Sequence, residues 1–154
     1  MSLEIIPFDS KYSKAFHDLN IEWLETFFYV VPYDKEVLSK PETYIINKGG
    51  QIFFVIQNEQ VLGTVALMPT NDSGILELTK MAVLPKARGQ KIGQKLLQYC
   101  IDFGQSNNYK ALMLYSSTIL ENAIHLYRKY GFKELELEKD NPYERANIKM
   151  QLAL

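Results

Sequence analysis

The sequence predicts an α/β fold on one mixed sheet: an antiparallel meander followed by a β-α-β crossover, with helices on both faces. Three observations predict it. Apolar runs at residues 52–56, 61–68 and 77–84 are separated by turn-forming clusters, the pattern of a meander. After Pro85 the apolar spacing changes from that of a strand to that of a helix. A short apolar run at residues 111–115 (ALMLY) then lies between two amphipathic segments, as a crossover in a mixed sheet requires.

The elements follow in order. Residues 3–7 (LEIIP) make a first strand. Ser10 or Asp9 caps the next helix, whose apolar stripe is Tyr12, Phe16, Leu19, Trp23 and Phe27. Val30, Val31 and Pro32 end it. Asp34 caps a short second helix through Leu38, and Pro41 stops that one. Asn58, Glu59 and Gln60 turn the first hairpin; residues 71–74 (NDSG) turn the second. Ile92, Leu96, Leu97, Cys100 and Ile101 mark the core face of a helix ending near Gly104. Residues 120–130 form another, with Ala123, Ile124, Leu126 and Tyr127 inward and Gly131 in the C-terminal glycine position. Residues 132–137 and 146–152 are the last strands, joined by the charged segment 138–145.

Composition narrows the function. The 154 residues amount to one domain, and no repeat or linker divides residues 1–154. Apolar residues at 47% and charged residues at 23% argue against disorder. Seventeen basic against 18 acidic residues leave a net charge of −1, which excludes gripping nucleic acid by bulk charge but not a small local anion site. No apolar run reaches the roughly 18 residues of a membrane span. The opening MSLEIIPFDSKYSK lacks the features of a cleaved leader, so a cytoplasmic protein without a membrane partner is expected. Cys100 is the only cysteine, compatible with a reducing compartment. His17 and His125 stand far apart without ligand spacing, so no metal is expected.

The chemistry concentrates in residues 77–94, ELTKMAVLPKARGQKIGQ. A strand and a proline lead through a short Arg/Gly/Lys loop straight into a helix, whose first turn offers unpaired N–H groups and the positive end of its dipole. Gly89 and Gly93 let backbone approach a ligand, and Arg88 and Lys91 add donors suited to phosphate. The reading is a phosphate or pyrophosphate site; the plainer one is a solvated loop that begins a helix. Neither G-x-x-x-x-G-K-[ST] nor G-x-G-x-x-G is present.

These residues resemble the acyl-coenzyme-A-binding motif of the GNAT superfamily of N-acetyltransferases, [Q/R]-x-x-G-x-[G/A], which falls on Arg88-Gly89-Gln90-Lys91-Ile92-Gly93. Met81 to Pro85 resembles the strand entering that loop, and Ala123 to Phe132 the family's A-x-x-L-Y-x-x-x-G-F helix and exit. The likeness is close over residues 77–135 and loose over the first 50. It implies acetyl-CoA as co-substrate, held by Met81, Ala82, Val83, Arg88, Gly89, Gln90, Lys91, Ile92, Gly93, Gln94 and Asn122. It also implies central strands splayed apart and direct attack by an amine in a ternary complex. Two positions depart from the pattern. Lys91 replaces a glycine, without steric cost if it already lies on the helix. Leu120 stands where the family often has asparagine, with Asn122 serving by a shifted register or only as a helix-start residue.

The resemblance makes Tyr127 the general acid for the leaving sulfur and Glu77 a candidate general base, directly or through water. The residues alone leave Tyr127 a core-face tyrosine and Glu77 an exposed strand carboxylate. Strict alternation puts Glu77, Thr79, Met81 and Val83 on one face and Leu78, Lys80 and Ala82 on the other. On the acceptor side the resemblance points to the early helices and the late strands, with Tyr29 and Arg145 as candidate contacts. Trp23, Phe27 and Phe28 are read as core and residues 138–140 as a solvated turn. A small-molecule primary amine is the expected acceptor. The rival class is a catalytically silent coenzyme-A-binding sensor or regulatory module. Exposed late strands leave both a monomer and a homodimer open.

Overall fold

The computed structural model describes residues 2–154. Its strands are β1 (Glu4–Pro7), β2 (Gln51–Gln57), β3 (Gln60–Pro69), β4 (Ile75–Val83), β5 (Ala111–Ser116), β6 (Lys133–Leu135) and β7 (Ile148–Ala153). Its helices are α1 (Ser13–Phe27), α2 (Pro32–Ser39), α3 (Pro41–Tyr44), α4 (Ile92–Ser106) and α5 (Glu121–Lys129). One sheet takes the order β1-β2-β3-β4-β5-β7-β6. Every neighbouring pair is antiparallel except β4 and β5, which the α4 crossover makes parallel. The predicted fold class is therefore the observed one.

Alternation along β2 shows how the two cores arise. Ile52 and Phe54 face α1 and α2, packing with Phe16, Leu19 and Leu38. Phe53 and Val55 face the opposite layer, packing with Leu96, Leu97 and Cys100 of α4. Each fully buried side chain of this size contributes about 1.5–3 kcal/mol relative to exposure. Both faces are thus covered by helices, and the single cysteine belongs to the core, as expected.

The differences from expectation have local causes. Asp9 caps a single 3₁₀ turn, accepting from the Lys11 N–H at 3.0 Å, and α1 begins only after it. Pro32 and Pro41 each open a helix, because a proline suits the first helical position where its missing N–H has no partner to lose. Asp34 does satisfy the start of α2, but from within its first turn, accepting the Val31 N–H at 3.0 Å. Asn58 (φ 52°) and Glu59 (φ 64°) are both left-handed, the conformation of a tight two-residue hairpin turn matched to strand twist.

The largest correction lies in β4. Thr79 pairs with Ala66, but Ala82 pairs with Thr64, so β4 carries one extra residue over that span. Lys80 absorbs it with φ 55°. Such a bulge reverses the phase of a strand. Leu76 and Leu78 face α4, and past the bulge so do Met81 and Val83; Ala82 joins the α1 side. The faces predicted by unbroken alternation hold before Lys80 and invert after it.

Candidate active site

Strands β4 and β5 pair only over Ile75–Glu77 and Ala111–Met113. Both run on, to Val83 and Ser116, without further ladder partners between them. The implied splay is therefore present. The facing main-chain groups of the parted strands must be satisfied by something other than each other. A cavity of about 580 Å³ opens there, walled by α1, α2, the end of β4, β5, α5 and the loop before β7.

The donor side is built around the start of α4. Gly89 has φ 88° and, its chain neighbours apart, no atom within 4 Å of where a β-carbon would stand, so its backbone is open to a ligand. The first-turn N–H groups of α4 have no carbonyl within the helix to bond. A β-carbon on Gly93 would lie 3.6 Å from the Met81 sulfur and 4.0 Å from a Val83 methyl, so this turn packs directly beside the cavity wall. The loop, the helix start and the unpaired strand edge together fit the diphosphate and the amide-bearing arm of coenzyme A. Arg88 lines the cavity, but its guanidinium bonds to Glu22 Oε1 at 2.7 Å and stacks over Phe27.

Lys91 does not meet the condition that would make it free of steric cost. It precedes α4 in the left-handed region, φ 61° and ψ 28°, not in helical geometry. A lysine there carries about 1–2 kcal/mol of local strain, which explains a pattern that places glycine at this point. Lys91→Gly relieves it at the expense of greater unfolded-chain freedom. A net gain of about 0.5–1 kcal/mol is expected in a urea titration.

Tyr127 lies in the cavity wall, its ring packed on Phe132 at 5.7 Å between centroids. Burial pushes its phenol up to about 12, so it keeps its proton across the neutral range. Ala123 and Leu120 flank it in the wall. Asn122 is exposed on the second residue of α5 and is not part of the lining; Leu120 occupies the inward place.

The acceptor side is a set of cross-links. The Arg145 fork bonds both Asp34 carboxylate oxygens at 3.1 Å, tying the loop before β7 to α2. Arg145 does grip a carboxylate bidentately, but one from its own chain. Its guanidinium also stacks on Tyr29 and donates to the Tyr29 carbonyl at 3.4 Å, so Tyr29 braces this wall from outside the lining. Trp23, Phe27 and Phe28, expected in the core, instead line the cavity. Glu138 is not merely a solvated turn: it accepts from the Tyr115 phenol at 2.5 Å and pairs with Lys149. The Tyr115 bond, with that support, holds its carboxyl down to about 2.

Glu77 sits on β4 where β5 still pairs, and its carboxylate accepts from the Tyr143 phenol at 2.6 Å. Tyr143 lines the cavity; Glu77 stands one hydrogen bond behind it. Burial raises the Glu77 pKa, against the pull of the Tyr143 bond and the Lys80 charge. The folded protein therefore holds this proton more tightly than the unfolded chain. The resulting penalty is absent below the unfolded pKa and grows as pH rises through the folded one. Glu77→Gln removes it, so the variant should melt above the parent at neutral pH, the gap narrowing as both are acidified. A gap independent of pH would contradict this.

Asp34 and Lys80 are charged wall residues that the sequence did not single out as site residues. Only the extra residue in β4 turns Lys80 to the cavity, and only the long-range fold brings Tyr143 and Asp34 to their partners.

The family model of the acetyltransferase (GNAT) domain matches residues 48–134. An uncharacterized N-acetyltransferase of Schizosaccharomyces pombe is 32% identical over 93 residues, covering 59% of this chain and 57% of that protein. A probable N-acetyltransferase, camello, of Xenopus tropicalis is 30% identical over 105 residues, covering 68% of this chain and 48% of its own. The chain thus spans about half the length of the curated relatives it matches. A GNAT-family acetyltransferase of Staphylococcus aureus Mu50 superposes with a TM-score of 0.86 over 99% of both chains at 23% identity. The PaiA N-acetyltransferase of Thermoplasma acidophilum, solved with coenzyme A, superposes at 0.78 over 100% of both chains at 16% identity. Those two likenesses concern the fold; the domain match extends over more than half of the sequence, and on that ground the chain belongs to the GNAT acetyltransferase superfamily.

Proposed function

We propose that this protein transfers an acetyl group from acetyl-CoA to a primary amine of a small-molecule acceptor by direct attack in a ternary complex. The observation that carries the reading is the parting of β4 and β5 over a cavity with a protonated phenol, Tyr127, in its wall and the α4 start packed beside it. The N–H groups of Gly89 and of Lys91 to Gln94 hold the diphosphate, with the Lys91 side chain adding charge. The open edge at Met81, Ala82 and Val83 binds the pantetheine amides and donates to the thioester carbonyl, stabilising the charge that builds on its oxygen. Tyr127 gives its proton to the departing sulfur, since a thiol of pKa about 8.5 leaves better protonated.

The amine attacks as its neutral form and enters from the side walled by α1, α2 and the loop before β7. Glu77 serves this side by positioning Tyr143, because its carboxylate is spent on that phenol and does not reach the lining. The proposed setting is the cytoplasm, with the protein a monomer or homodimer. Cys100 is buried and unpaired, and among the described residues no helix is long and apolar enough to cross a membrane.

The test is thiol release from acetyl-CoA in the presence of a panel of small primary amines, with the acetylated product identified by mass. At least one amine should release one thiol per acetylated product. Acetyl-CoA binding with no turnover on any amine would instead favour a silent coenzyme-A-binding module.

A further inference from the structure

Among the described residues, Lys80 is the one cation of the acceptor wall without a counter-charge in contact, since Arg88 pairs with Glu22 and Arg145 with Asp34. It stands on the extra residue of the β4 bulge and lines the cavity. Among the described residues, no ion pair includes it. The two carboxylates that act on it are engaged elsewhere: Asp34 by both arms of Arg145, and Glu77 by Tyr143. What Lys80 does touch is weak, its ammonium 5.9 Å from the centre of the Tyr143 ring. Burial lowers its pKa more than those distant carboxylates restore it, the condition of a cation short of a partner. The placement also costs backbone energy, since a lysine at φ 55° is strained, and such strain collects at functional positions.

Resting on the acetyl-transfer reading above, we infer that Lys80 receives a carboxylate of the acceptor, so that the acceptor is a primary amine that also bears a carboxylate, an amino acid in the simplest case. A half-buried ammonium gains a charge-assisted bond when such a group enters. That anchor then orients the amine at the other end of the same small molecule toward the thioester, converting binding into alignment. The aromatic wall of Trp23, Phe27 and Phe28 suits an apolar body on that molecule.

Matched pairs test the inference: phenylalanine against phenylalaninamide and leucine against leucinamide, at fixed acetyl-CoA, with thiol release as readout. The carboxamide has the less basic amine and so more neutral nucleophile at a given pH; chemistry alone favours it. The intact protein should nevertheless prefer the free acid by about tenfold to hundredfold in kcat/KM. Lys80→Met should bring that ratio near one, the loss falling on KM for the acid, and Lys80→Arg should keep part of the preference. If Lys80→Met does not fold, the wild-type ratio and the Lys80→Arg ratio decide. No preference in the wild type, a preference that survives Lys80→Met, or an equal loss of kcat for both members of a pair would overturn the inference, the last because the lysine would then act on the amine. If calorimetry shows acetyl-CoA bound but neither member of either pair releases thiol, the acceptor class falls alone. If acetyl-CoA does not bind, the transferase reading falls with it.

Discussion

Replacing Tyr127 with phenylalanine is expected to lower kcat by about a hundredfold while leaving the affinity for acetyl-CoA within a factor of two or so. Positioned general acids contribute about 10²–10⁴-fold, and a thiolate is a fair leaving group unaided, which puts the loss at the low end. The phenol qualifies for the role because burial pushes its pKa up to about 12, so it carries its proton wherever the protein works. The ring packing against Phe132 is kept by phenylalanine, and folding should be little changed. The alkaline side gives an independent check. The wild-type rate should rise as the amine loses its proton, without a decline until the phenol itself titrates near 12. Unchanged kcat in the variant would remove Tyr127 from the chemistry, whereas a matching loss of acetyl-CoA affinity would make it a binding residue.

Asp34→Ala is expected to cost about 3 kcal/mol of folding stability, the lower end for a broken buried pair. Asp34 and Arg145 are 16% and 18% exposed, so the arginine left behind keeps some water but not enough to offset its lost partner. The same carboxylate also accepts the Val31 N–H at the start of α2, so a helix cap of about 1 kcal/mol goes with it. Arg145→Met alone should cost less, because Asp34 retains that backbone bond. The double variant should be more stable than the sum of the two losses, with a coupling of about 2 kcal/mol in urea titrations. Simple additivity would show that the two side chains do not support each other. Because the pair joins α2 to the loop before β7, either variant should raise KM for the amine more than KM for acetyl-CoA.

The sheet and its helices were legible because their apolar residues repeat with the right period, and β2 and α4 are plain cases. The coenzyme loop was legible because it is contiguous, from strand to helix, within residues 77–94. What local pattern does not encode is where a strand gains a residue. The bulge at Lys80 inverted the face of everything after it, and no run of residue types marks it. The bonding within the acceptor wall was hidden for another reason. It joins Glu77 to Tyr143 across 66 positions and Asp34 to Arg145 across 111, so each partner alone looks like an ordinary surface polar residue. Lys91 shows the limit at a single residue: the motif located it, but whether it lay on the helix or before it depended on a dihedral angle.

A crystal structure with coenzyme A would show where the carrier lies. The diphosphate should lie on the turn from Arg88 to Gly93 and the pantetheine arm between β4 and β5 beyond Glu77 and Met113, with the sulfur facing the Tyr127 phenol. Density for the carrier on another face of the molecule, or a saturated crystal in which the gap between those strands holds only water, would contradict this placement.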